Sequence, residues 1–367
     1  MSRVAVTVVT TSFVVGCVML ACGGESASPV GPVEPDASSS SSGSTGSSGT
    51  SGSSGTDASS GGLDGSSGGS DGGDAGTPAT RDEKYARAFC EAFDKCGAVL
   101  VKIGFGDVAT CVTRVKAKAA LDLKAPGVTV TDAQLDACLA KIKTLDCSSP
   151  AGIAECEFTG SLAADAPCDL DAQCQSGACF KAPSLDGGIQ VADCGTCKAK
   201  AAPGADCSAA KCGNGYRCVP GNGGPTCVKL GAVTEACSAS APCGGNLSCV
   251  GNVCTKPLAL GAACTNTLGV APCDTAAGHY CKALPNQAGT CAAVGYATPP
   301  NLCGISVQAL SVTQCSNSAC SSQIPAGTCV PYAGAGEACG GQGGKTCASP
   351  LECKAGKCEL VDPARCK

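Results

Sequence analysis

At 367 residues and a formal net charge of −5, the chain carries 34 Cys and 51 Gly but only 6 Phe, 5 Tyr and no Trp. So few bulky side chains argue against large, conventionally packed domains, and a cysteine content near one tenth marks a disulfide scaffold in a secreted chain. The acidic balance excludes a basic footprint for nucleic acid, and Lys and Arg are too scattered to form a polybasic membrane patch.

Residues 1–22, MSRVAVTVVTTSFVVGCVMLAC, read as an export signal: Arg3, then an apolar run from Val4 that is too short and too poorly flanked for a transmembrane span. Its end resembles the lipobox of bacterial lipoproteins, in which a small residue precedes a cysteine that becomes acylated. Both Val14-Val15-Gly16-Cys17 and Met19-Leu20-Ala21-Cys22 have this form. Cys22 is the expected attachment point, because cleavage before Cys17 leaves Val18-Met19-Leu20-Ala21 exposed on the mature end, whereas the chain turns polar directly after Cys22. By the same resemblance, Gly23 behind the cysteine implies sorting to the outer membrane, where a multiply acylated cysteine anchors far better than a single chain. Residues 23–80 are mostly Ser, Gly, Asp, Thr, Ala and Pro, and between 37 and 73 the one large apolar residue is Leu63. Nothing there offsets chain entropy by burial, so a disordered tether is expected. As a Gly/Ser coil it has an r.m.s. span of about 40 Å.

Residues 81–160 differ in kind. Asp82 to Cys96 is rich in helix formers, with Tyr85, Phe89 and Phe93 on one face at i, i+4, i+8. A second helix is predicted from Asp107 to Leu121. A third opens on the capping box Thr131-Asp132-Ala133-Gln134, followed by Leu135, Cys138, Leu139 and Ile142 at helical spacing. Cysteines 90, 96, 111, 138, 147 and 156 form an even set compatible with three internal bridges, in any of fifteen connectivities.

From 161 to 367 the cysteines recur in groups of four: 207-212-218-227, 237-243-249-254, 264-273-281-291, 339-347-353-358 and, more divergently, 303-315-320-329. Cys168-Cys174-Cys179, with Cys194 or Cys197, opens the series. Three groups share a Gly-x-x-Cys leader at Gly204, Gly261 and Gly336. An apolar or aromatic residue (Tyr216, Leu247, Tyr280, Leu351) stands just before the third cysteine, and a Gly turn precedes the fourth at Gly251, Gly289 and Gly356. Such periodicity predicts tandem supersecondary units, each too small for an apolar core and held by two bridges. Each bridge is worth roughly 2–4 kcal/mol. The fold class expected is therefore small disulfide-rich repeats with short two-stranded β-ribbons and loops, preceded by a small α-helical, disulfide-stapled module and a disordered tether. Setting aside Cys17 and Cys22 leaves an even number of cysteines, and Cys366 with one of Cys194 and Cys197 falls outside the groups of four.

The run Cys168-x5-Cys174-x2-Gly177-Ala178-Cys179, repeated more loosely over 162–366, resembles the Dickkopf-like N-terminal cysteine-rich repeats carried by cysteine-rich outer-membrane lipoproteins of Gram-negative bacteria. The resemblance implies an address and an architecture; no receptor-binding residue carries over, since fold likeness does not confer function.

Chemistry has few footholds. Cys194-Gly195-Thr196-Cys197 has the spacing of redox and zinc sites, but it lies in a Gly/Ala/Lys loop without strand–helix alternation or a second matching pair. His279 is the one histidine, so any Ser-His-Asp or Cys-His mechanism runs through it, and no Gly-x-Ser-x-Gly elbow accompanies it. No carboxylate pair, nucleotide fingerprint or calcium loop is recognisable. Neither a catalytic residue nor a cofactor or metal is expected, and Cys22 is the sole site residue. The leading expectation is a non-catalytic binding or structural module, attached to membrane through its N-terminal lipid, whose loops meet an envelope protein or polysaccharide. The alternatives are a disulfide-rich protease or enzyme inhibitor, and a redox or metal-handling protein using Cys194 and Cys197.

Overall fold

The computed structural model describes residues 79–366, except 150, 151, 185–189, 192, 222, 268, 269, 285, 286, 307, 325 and 341–344. The expected signal peptide with Cys17 and Cys22, and the expected tether as far as residue 78, lie outside the described residues.

Three helices form a hub: α1 (Arg81–Gly104), α2 (Val108–Asp122) and α3 (Asp132–Lys143). Asp107 starts α2 by accepting a 2.7 Å hydrogen bond from the Thr110 amide. The capping box of α3 forms in full: Thr131 Oγ1 accepts from the Gln134 amide at 3.2 Å, and Gln134 Oε1 accepts from the Thr131 amide at 2.9 Å. The first helix outruns its expected end at Cys96. Gly97 leaves helical geometry (φ −154°, ψ 49°) and the apolar segment after it resumes the helix. Tyr85 stacks on Phe89 with centroids 6.2 Å apart, and Phe89 meets Phe93 at a tilt with centroids 5.5 Å apart. They do not share one core. Tyr85 packs against the cluster of Leu135, Leu139 and Ile142, while Phe89 and Phe93 join Phe105, Val108 and Val112. Three bridges pin these small cores: Cys90–Cys111 between α1 and α2, Cys96–Cys147, and Cys138–Cys156.

The six repeats share one frame. In each, the first cysteine bonds the third and the second bonds the fourth, as in Cys207–Cys218 with Cys212–Cys227. The third and fourth cysteines face each other across an antiparallel ribbon in every repeat: 179 and 197, 218 and 227, 249 and 254, 281 and 291, 320 and 329, 353 and 358. Two further contacts also recur throughout. The residue before the first cysteine pairs antiparallel with the residue before the fourth, and the residue six places before the first cysteine pairs parallel with the second. The ribbons are therefore not simply two-stranded. That leading segment adds a third strand, a single bridge in length in three repeats and a full strand in those opened by Cys168 and Cys264. In the divergent repeat it grows into a five-stranded sheet over residues 295–331. Sulfur replaces hydrocarbon at the centre. Cys237, Cys254 and Leu247 are the buried cluster of one repeat, and Cys168, Cys174, Cys179 and Cys197 that of another.

The Gly-x-x-Cys leader has a backbone cause. The residue three places before the first cysteine is left-handed, at φ +77° for Gly204, +80° for Gly261 and +78° for Gly336. This conformation turns its amide toward the carbonyl of the fourth cysteine, to which it donates at 2.8, 2.8 and 2.7 Å. Asp165 (φ +65°) and Thr234 (φ +71°) take the same conformation and make the same bond without being glycine. In the divergent repeat this position is Pro300, which has no amide to give.

Among the described residues, hydrogen bonds tie four repeats to the hub. The kink at Gly97 frees the Val99 amide, which donates to the Ala276 carbonyl at 3.3 Å. Near the end of α1 the Lys102 carbonyl accepts from the Asn317 amide at 3.0 Å, and behind α3 the Cys147 carbonyl accepts from Asn246 at 3.2 Å. In the first repeat, Gln173, with no exposed surface, donates from Nε2 to the Pro126 carbonyl at 2.9 Å. Its Oε1 accepts from the Asp169 and Leu170 amides at 2.7 and 2.9 Å. A buried glutamine side chain that holds three backbone groups from two modules at once is a structural pin.

Candidate binding surface

Within the repeats the frame is constant and the loops are not. The first-to-third bridges hold Cα atoms 5.8 to 5.9 Å apart at sequence separations of 11 to 17, and the second-to-fourth bridges hold them 5.4 to 5.6 Å apart at separations of 11 to 23. The anchors are thus fixed while the loops between them differ in length from repeat to repeat. Among the described residues, the exposed large apolar side chains all fall between Val253 and Ile324, with Leu302 and Ile324 each 68% exposed. A depression of about 310 Å³ on the last repeat is lined by Gly340, Lys345, Thr346, Cys347, Leu351 and Cys353, and Lys345 is its one charged lining residue.

The polar surroundings of the first repeat gather at the C-terminus of the chain. Asp169, whose side chain is 6% exposed, faces Lys181 at 2.5 Å and Arg365 at 3.6 Å. Arg365 also donates to the Asp193 carbonyl at 3.1 Å, and Lys354 pairs with the Asp193 carboxylate. That hydrogen bond from Lys354 holds the Asp193 carboxyl below its ordinary range. At the end of α2, burial pushes the Asp122 carboxyl up against the opposing pull of Lys118, and the charge of Asp169 adds to the rise.

The C-x-x-C cysteines are brought together with other partners. Cys197 bonds Cys174 as the fourth cysteine of its repeat, and Cys194 bonds Cys366 across 172 residues, with Cα atoms 5.5 Å apart. The bridge between Cys194 and Cys366 joins the two cysteines that fall outside the groups of four. In several repeats three sulfurs lie within 4.8 Å of one another, but each belongs to a bridge and has no thiolate to offer a metal. His279 sits on a strand of the fourth repeat opposite Ala293, with Nδ1 buried and no hydrogen-bond partner for it among the described residues.

Sequence reasoning missed Gln173 and the equivalence of Asp165 and Thr234 with the leader glycines. The constant three-residue offset from the first cysteine was available as a signal for the latter pair. Nothing in the local sequence marks Gln173. Comparisons of this chain with protein-family models, with curated proteins and with solved structures find no match.

Proposed function

We propose that this chain is an exported, lipid-anchored, non-catalytic protein of a Gram-negative outer membrane, whose Dickkopf-like repeats form a binding or structural surface toward an envelope protein or polysaccharide. The observation that carries the reading is the use of cysteine. All 32 cysteines after Cys22 are paired, in sixteen bridges. Such a framework forms and persists in oxidising compartments outside the cytosol, which agrees with an N-terminal export signal. With cores built of sulfur, the units have little to hold them when reduced. Their function then rests on the surface that the bridges present, and the loops between fixed cysteines supply it.

The test is metabolic labelling with a radioactive fatty acid in a Gram-negative host, followed by membrane fractionation. The full chain is expected to take up label and to sediment with the outer membrane. Cys22→Ser abolishes both, and Cys17→Ser leaves both intact. Label that survives Cys22→Ser but is lost in Cys17→Ser overturns Cys22 as the attachment point, and an unlabelled soluble protein overturns the anchoring.

A further inference from the structure

We propose that the Cys194–Cys366 bridge makes the repeats one covalently closed ring, so that an endopeptidase cutting once in any inter-repeat linker detaches nothing. The inference follows from connectivity and is independent of the lipid anchor. The two bridges inside each repeat span only that repeat. The linkers 198–206, 228–236, 255–263, 292–302 and 330–338, together with the tail 359–365, are spanned by Cys194–Cys366 and by no other bridge. Hydrolysis of one linker peptide bond consumes a water and yields a carboxylate and an amine, while the disulfide is untouched. Both sides of the cut then remain joined through Cys194 and Cys366. Without that bridge, the same cut frees every repeat downstream.

The polar contacts reinforce the closure. Asp193, beside Cys194, takes Lys354 from the last repeat and Arg365 from the tail, and Arg365 also reaches Asp169. The C-terminal segment is thus held on the first repeat by charge as well as by sulfur.

Between Cys90 and Cys366 one stretch is spanned by no bridge: residues 157–167, between the hub and the first repeat. There the backbone is hydrogen-bonded on both sides. Gly160 donates to the Cys174 carbonyl at 2.8 Å, Ser161 to Gly127 at 2.7 Å, Leu162 to Gln173 at 2.9 Å, and Asp165 to Cys197 at 2.8 Å. Cleavage needs an extended, locally unfolded segment, and a backbone held in this way opens rarely. Where covalent insurance is missing, hydrogen bonding takes its place.

Two insertions of a recognition sequence for a site-specific protease test the ring, one between Lys256 and Pro257 and the other between Ala163 and Ala164. Cleavage at the first is expected to leave one species on a denaturing non-reducing gel, heavier by one water in an intact-mass measurement, and to give two fragments only after reduction. Cleavage at the second gives two fragments without reduction. In Cys194→Ser/Cys366→Ser, cleavage at the first site also separates the chain without reduction. Under a broad-specificity endopeptidase, the unaltered protein releases repeats only after a lag, since two cuts are needed and only the repeats between them leave, while the double variant releases every repeat downstream of a cut from time zero. Separation of the unaltered chain after one linker cut overturns the ring. Identical time courses for the two proteins overturn its protective role, even where the bridge is intact.

Discussion

Thr234 is a β-branched residue held at φ +71°, in a position where three other repeats place glycine at +77°, +80° and +78°. Its side chain is exposed, so replacing it removes little packing. The left-handed conformation costs an L-residue about 1–2 kcal/mol, and β-branching places Thr at the upper end. Thr234→Gly relieves that strain but gives the unfolded chain more freedom, which costs about 0.4–1 kcal/mol. The difference predicts a net stabilisation of about 1 kcal/mol for the third repeat. The reverse change, Gly261→Thr, places its Cβ where no atom lies within 4 Å, so it measures the backbone cost without a clash and is expected to destabilise the fourth repeat by a similar amount. A chain of linked units need not unfold in two states, so the assay is local: hydrogen exchange by mass spectrometry, with all bridges intact. Peptides covering residues 248–255 should exchange roughly fivefold more slowly in Thr234→Gly, and those covering 279–293 roughly fivefold faster in Gly261→Thr. If Thr234→Gly leaves exchange unchanged or speeds it, the leader glycine is not a conformational requirement and the reasoning fails.

Other outcomes follow from the same contacts. A Cβ on Gly160 would stand 2.2 Å from the Gln173 carbonyl oxygen, so Gly160→Ala should displace the first repeat from the hub, cost about 2 kcal/mol or more, and speed proteolysis at 157–167. Gln173→Leu strands the Pro126 carbonyl and the Asp169 and Leu170 amides. It is expected to cost about 1–2 kcal/mol, chiefly through the buried Asp169 amide, seen as lowered protection of both residues 120–130 and 160–180; unchanged protection of either segment refutes its role as a pin. Asp107→Ala removes the cap of α2 and should cost about 1 kcal/mol, whereas Asp107→Asn retains most of it. The Thr110 amide holds the Asp107 carboxyl below its ordinary range, so its contribution is full above the unfolded carboxylate value and is lost as pH falls through the folded one. Asp107→Asn should therefore flatten the acid limb of the helix-stability profile, and an unchanged limb argues against the cap.

How much of this molecule was written in its sequence depends on the range of the interaction concerned. The helix starts at Asp107 and Thr131 were legible, because a capping side chain reaches only three residues along the chain. So were the four-cysteine units and their glycine turns: Ala355-Gly356, at φ +47° and +80°, closes the hairpin that sets Cys353 opposite Cys358. The end of α1 was misjudged because Gly97 reads locally as a stop. The core contact of Val101 and the two bonds offered at Val99 and Lys102, which reward continuing the helix, involve residues more than 150 positions away in the case of the bonds. Connectivity was beyond sequence altogether. Every cysteine is chemically the same, and partner choice is fixed by which Cα atoms the fold brings to about 5.5 Å. The third and fourth cysteines of each repeat are neighbours across a ribbon and still bond elsewhere. Only the packed leader segment brings the first and second cysteines within their reach. For Cys194 and Cys366 the sequence supplied the remainder of a count, and the tertiary structure supplied the bond, because it seats Lys354 and Arg365 around Asp193 and Asp169 and so sets Cys366 beside the first repeat.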